Sequence, residues 1–263
     1  MGKLLSYIRY PFAGIGAIFF TAFYSGSIVL IAPFRTRRGE QVIIRAWGKT
    51  LLALFNVHCH VEGLEKIPPQ GVLFLFNHTS HFDILIIHAV TPRICRFGAK
   101  VELFKIPLFA QAMRAAGALP IARGNRAQVF RVYQEAEARL ANGESFILAP
   151  EGTRQTVADI GPFKAGPFVF AINAKVPIVP IVVEGAIDIM HKKSLLINWG
   201  TWRKDIFVRF LDPIIPSAWD LNEVGNLQNA TREKMHEAFH QMRRERESKV
   251  QLCPRSEVAT TNR

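Results

Sequence analysis

From residue 57 onward the chain alternates short apolar runs with longer stretches of helical period. Runs at 57–61, 72–77, 94–98, 118–122, 145–149 and 177–183, with later ones near 195–199 and 206–210, predict strands. Between them, 82–90, 101–115, 128–141 and 164–174 predict helices. In 128–141, Val129, Tyr133, Ala136 and Leu140 share one face, and Asn142-Gly143 supplies a stop signal. The alternation points to an α/β fold, a central mixed sheet with flanking helices.

The two ends follow other patterns. Tyr10 to Phe34 holds no charged residue over 25 positions. As a helix it would be about 37 Å long, enough for a hydrocarbon core of about 30 Å. Gly14, Gly16 and Ser25-Gly26-Ser27 interrupt it, which leaves a straight span and a kinked or re-entrant element both open. The apolar run is too long for a cleaved signal peptide and lacks a clear small-x-small site before Pro33. From Gln41 to Asn56, Ile44, Trp47, Leu51, Leu54 and Phe55 recur at helical spacing. That stripe suits a helix lying in a membrane interface and one packed on a soluble domain equally well. Thr231 to Val250 predicts a charge-laced surface helix followed by a loose tail from Gln251. The expected division is a membrane-associated helical region over 1–56, an α/β domain over 57–215, and a carboxy-terminal helix and tail over 216–263.

Charge narrows the partners. A formal net charge of +12 and a pI near 10.0 call for an anionic partner. Nucleic acid is the first rival to a phospholipid surface, but 49% hydrophobic residues, a mean hydropathy of +0.13 and the lack of any nucleic-acid motif favour an anionic membrane surface. Lys3 and Arg9 precede the apolar run and Arg35, Arg37 and Arg38 follow it, so charge gives only a faint preference of side. With the α/β part expected on the cytoplasmic side, the inner membrane in a bacterium, the latter three are the inside anchor. Cys59, Cys95 and Cys253 are scattered and odd in number, which fits a reducing compartment. His58-Cys59-His60 does not make a metal site, because on a strand Cys59 points away from the two histidines. No GxGxxG or Walker pattern occurs, so neither a metal nor a bound cofactor is expected.

The chemistry gathers in three motifs. Asn77-His78-Thr79-Ser80-His81-Phe82-Asp83 follows the apolar run Val72 to Phe76. Residues five apart on a helix point about 140° apart. His78 and Asp83 can therefore meet only if the histidine lies on the strand-to-helix turn and the acid in the first helical turn, where the helix dipole favours an anion. Such a turn is where open α/β sheets do chemistry. Gly117 to Arg123 and Ala149-Pro150-Glu151-Gly152-Thr153-Arg154 each close an apolar run and deliver an arginine near a glycine. Glycine lets backbone amides approach a ligand, and the guanidinium fork matches phosphate oxygens. Val176 to Ile181 reads as another buried strand.

The order NHxSxxD, GxxxxxR, PEGTR and VPIVPI resembles the glycerolipid acyltransferase family over roughly Gly71 to Gly185. Ala149 stands where the family usually has an aromatic residue, and Ala122 where aspartate is commoner. The resemblance implies that His78 is the general base toward an acceptor hydroxyl, with His81 as its competitor, and that Asp83 orients it. Lys100, Arg123, Glu151, Gly152, Thr153 and Arg154 would bind substrate, the arginines and Lys100 holding an acceptor phosphate. The implied reaction moves an acyl group from acyl-CoA or acyl carrier protein, as co-substrate, to the sn-2 hydroxyl of lysophosphatidic acid, without an acyl-enzyme. Another lysolipid acceptor, such as a lyso-ornithine lipid, and a non-catalytic membrane-binding scaffold are the rival readings.

Overall fold

The computed structural model describes residues 2–34, 36–192, 194, 197–198, 203–215 and 219–252. Arg35 and the tail with Cys253 lie outside the described residues. Of the strand expected near 195–199 only 197–198 are described, and these are not in a strand.

Seven strands form one sheet: β1 (Val57–Glu62), β2 (Leu73–Phe76), β3 (Cys95–Lys100), β4 (Leu119–Ile121), β5 (Ser145–Leu148), β6 (Ile178–Glu184) and β7 (Lys204–Phe210), in the order β1-β7-β6-β2-β5-β3-β4. All neighbours pair in parallel except β6 and β7, so the sheet is mixed, as its alternation with helices predicts. Every residue of β2, β5 and β6 is buried, the pattern of strands covered on both faces. In β1 and β7 burial alternates along the strand, as where one face is less covered.

Side chains alternate across β2. Leu73 and Leu75 enter one core layer with Phe146, Phe168 and Phe170, under α5 (Arg126–Ala141) and α6 (Gly166–Ala174). Phe74 and Phe76 enter the other with Ile86, Ile87 and Ile147, under α3 (Phe82–Val90). Each such fully buried side chain contributes about 1.5–3 kcal/mol.

The amino-terminal part adds α1 (Gly2–Ile31) and α2 (Arg37–Leu54). The helix α1 runs unbroken through Pro11 and its glycines, ending in a 3-10 turn at Ala32–Phe34. Phe12, Ile15, Ile18 and Phe19 are exposed on it, and its 26-residue apolar stretch from Arg9 to Phe34 is long enough to cross a membrane, which makes it a candidate anchor. The two readings of the segment after it are separated by packing. Leu51 and Leu52 are buried, and at Gly48 an added Cβ would stand 2.8 Å from the Leu85 carbonyl oxygen, so α2 lies against α3 at a distance only glycine permits. Trp47 turns inward, its Nε1 donating to Thr21 Oγ1 of α1 at 3.1 Å. Arg96 of β3 fastens the same helix, with Nη1 donating to buried Glu40 and Nε to Glu144, each at 3.0 Å.

Two elements depart from the sequence expectation. The helix expected over 101–115 is a 3-10 turn at Val101–Lys105 followed by α4 (Phe109–Ala115), because Pro107 has no N–H to give and Leu108 takes a left-handed φ of 63°. The carboxy-terminal helix α7 (Val224–Leu252) starts earlier than expected and is no free surface element: Leu227, Met235, Phe239 and Met242 are buried in the α5/α6 core layer.

Candidate active site

The strands β2 and β5 are parallel neighbours, so the segments leaving their carboxyl ends lie side by side. The first of them is the His78 turn. Asn77 bolts it to the sheet, its side chain donating to the Val183 carbonyl at 2.9 Å and accepting from the Val183 amide at 2.7 Å. Asp83, in the first turn of α3 and fully buried, reaches back along the turn. Its Oδ2 accepts from Thr79 N at 2.7 Å and Ser80 N at 2.8 Å, and lies 2.9 Å from His78 Nδ1. An ionised carboxylate only accepts, so Nδ1 carries the proton and Nε2 keeps its lone pair. One acid thus shapes the turn and sets the tautomer of its histidine.

The second segment grips the first. Glu151 Oε2 accepts from His78 N at 3.0 Å, and Gln155 N donates to the His78 carbonyl at 2.7 Å, so both backbone groups of His78 are held by the Glu151–Gln155 stretch. Glu151 Oε1 accepts from Gly161 N at 3.1 Å. Burial pushes the Glu151 carboxyl up to about 8 against the pull of these amides. The resemblance implies that Glu151 and Gly152 shape the substrate pocket. Glu151 is 2% exposed, and neither residue lines the cavity described below. Gly152, at a φ of +71°, makes the turn that an L side chain would strain.

A Glu151→Gln protein should lose about 1–3 kcal/mol of stability, because one end of the amide would set NH2 against a backbone N–H. Chemical denaturation of the two proteins checks this, and an unchanged midpoint would sink the account of the turn.

His78, His81, Arg123, Thr153 and Arg154 line one cavity of about 450 Å³, within the range of small-molecule sites of roughly 300–1,000 Å³. Lys100 also lines it, but its amine is half-exposed and lies 3.2 Å from Glu102. Neither Arg123 nor Arg154 has an ion-pair partner among the described residues, and Arg154 Nη1 is buried without a hydrogen bond. Burial, and after it the field of Arg154, holds Arg123 below the ordinary arginine range. Two neighbouring guanidiniums without an ion pair form a site for an anion. His81 is pushed below the usual histidine value by burial and then by Arg154. Among the described residues only His78 of the two has a carboxylate on its ring.

Much of the rest of the lining comes from residues outside the motifs: Ile28 and Tyr24 of α1, Trp47 of α2, Ile84 and His88 of α3, Phe97 of β3 and Met113 of α4. Burial lowers His88 to about 4, so its ring is neutral there. Lys192 was not singled out by sequence. Ser80 Oγ donates to the Met190 carbonyl at 3.0 Å, which draws that loop to the cavity. The sequence signal was weak, the first of two lysines after His191.

A family model described as Acyltransferase matches residues 58–184. The 1-acyl-sn-glycerol-3-phosphate acyltransferase alpha of Homo sapiens is 31% identical over 231 residues, covering 84% of this chain and 80% of the human one. The 1-acyl-sn-glycerol-3-phosphate acyltransferase of Saccharomyces cerevisiae is 25% identical over 240 residues, covering 89% and 78%. Among solved structures, that of the 1-acyl-sn-glycerophosphate (LPA) acyltransferase PlsC from Thermotoga maritima superposes with a TM-score of 0.77 at 24% identity, over 92% of this chain and 98% of that one.

Proposed function

The chain belongs to the glycerolipid acyltransferase family and is an acyltransferase, and from that premise we propose that it acylates the free sn-2 hydroxyl of lysophosphatidic acid, giving phosphatidic acid. The donor is the thioester of acyl-CoA or acyl carrier protein. His78 Nε2 takes the hydroxyl proton as the oxygen bonds to the thioester carbon, and Asp83 balances the imidazolium. The tetrahedral adduct then collapses, the C–S bond breaks, and the imidazolium returns its proton to the departing sulfur. No side chain is acylated. The observation that carries this reading is the pairing of two arginines, neither in an ion pair among the described residues, with the His78–Asp83 turn on one cavity whose remaining wall is mostly apolar. The arginines suit a phosphate, the apolar wall an acyl chain, and the histidine lies with both.

The helix α1 would hold this cavity at the bilayer, where both lipids reside, with the catalytic part on the cytoplasmic side. Protease access to the α7 end in sealed vesicles reads that orientation. The acceptor is tested with detergent-purified protein, both thioester donors and a panel of lysolipids. Lysophosphatidic acid should be preferred at least about tenfold over its phosphate-free counterpart, the effect of losing one charge-assisted hydrogen bond. A preference for acceptors without a phosphate would sink the assignment and bring the lyso-ornithine reading forward.

A further inference from the structure

On the far side of the Glu151 segment the structure brings together a cluster that the transfer reaction does not use. His236 and His240 are one turn apart on α7, and both Nε2 atoms face Asp159, in the loop between β5 and α6. The two Nε2 atoms are 3.0 Å apart, and they lie 3.3 and 3.4 Å from Asp159 Oδ1. Four ligands placed tetrahedrally at about 2.0–2.1 Å from a zinc ion are separated by about 3.3 Å. The three separations are close to the edges of one face of such a coordination shell.

We propose that His236, His240 and Asp159 bind a divalent transition ion of the zinc type, and that this ion clamps α7 to the loop carrying Glu151 and Arg154. Two imidazoles and a carboxylate are the donor set such ions prefer. The carboxylate is already oriented, since Asp159 Oδ1 accepts from Ile160 N at 2.7 Å. The loop is docked on the same helix by Arg232, which donates to the carbonyls of Ile160 and Gly161 at 2.9 and 3.0 Å. All three ligands are half-exposed, so a fourth position is open to water. With no ion, the only bond the two rings can make to each other needs one of them to turn an N–H on its neighbour. An ion satisfies all three lone pairs at once.

The test uses the full-length protein in detergent, without a polyhistidine tag and stripped with EDTA, titrated with Zn²⁺. The expected result is one ion per chain and a rise in Tm of at least about 4 °C at saturation. Co²⁺ in place of Zn²⁺ should give the visible absorption of a four-coordinate site. His236→Gln and Asp159→Asn should each weaken binding at least about tenfold. Their Tm without metal reports whether they fold. His58→Gln, on the other exposed histidine pair, should bind like the wild type. Stoichiometric binding that survives both ligand substitutions, or no binding at micromolar Zn²⁺, would overturn the proposal.

Discussion

The His78→Ala protein is expected to fold and to turn over about 10²- to 10⁴-fold more slowly, the range for loss of a positioned general base. The fold should survive because Asp83 keeps its bonds from Thr79 N and Ser80 N, and Glu151 and Gln155 grip the backbone of residue 78 rather than its ring. Steady-state kinetics and a thermal melt check the two halves separately. Turnover should fall while the acceptor KM moves little, since the ring acts on the proton and not on the phosphate. The His81→Ala protein should lose far less. Its ring lines the cavity, but among the described residues it has no carboxylate bonded to it, as His78 has. Activity of His78→Ala within a few-fold of wild type, abolished only when His81 is also removed, would move the base to His81.

Arg154→Ala should raise the apparent KM for lysophosphatidic acid by about 10- to 150-fold, the equivalent of a charge-assisted hydrogen bond worth about 1.5–3 kcal/mol. The guanidinium has an unpaired buried nitrogen and no ion pair among the described residues to break when a phosphate arrives, so it can bond the ligand without losing a partner. Arg154→Lys should also be impaired, because an ammonium keeps the charge but not the fork. The KM for the thioester should change little. A rise in the donor KM with the acceptor KM unmoved would assign Arg154 to the phosphates of the donor.

Much of the α/β part was legible because its signals are local. The central strands are unbroken apolar runs, and α3 has the bounds its pattern predicts, Phe82 to Val90. Helix geometry said where His78 and Asp83 must lie if they are to meet, and they lie there. What pattern could not show is where distant pieces meet. The apolar wall of the cavity comes from α1, α2 and α4, and nothing in Trp47 or Tyr24 distinguishes a cavity face from a bilayer face. The resemblance placed Glu151 at the substrate pocket without saying which way it turns. Its inward turn depends on the amides of His78 and Gly161, one of them 73 positions away. The buried stripe of α7 was hidden by its arginines and glutamates, although Met235, Phe239 and Met242 recur at helical spacing. Arg96 is a similar case: a charge inside a strand is buried here only because Glu40 and Glu144 arrive from elsewhere.

The central claim is that an acceptor hydroxyl activated by His78 attacks the thioester directly. The measurement that reaches it is thiol release by the purified wild-type protein, followed with and without lysophosphatidic acid while phosphatidic acid is counted by mass spectrometry. Direct transfer requires one thiol for each phosphatidic acid, almost no release without acceptor, and no acylated protein when the donor is mixed with enzyme alone. A stoichiometric burst of thiol without acceptor, accompanied by an acyl group on the protein, would contradict it.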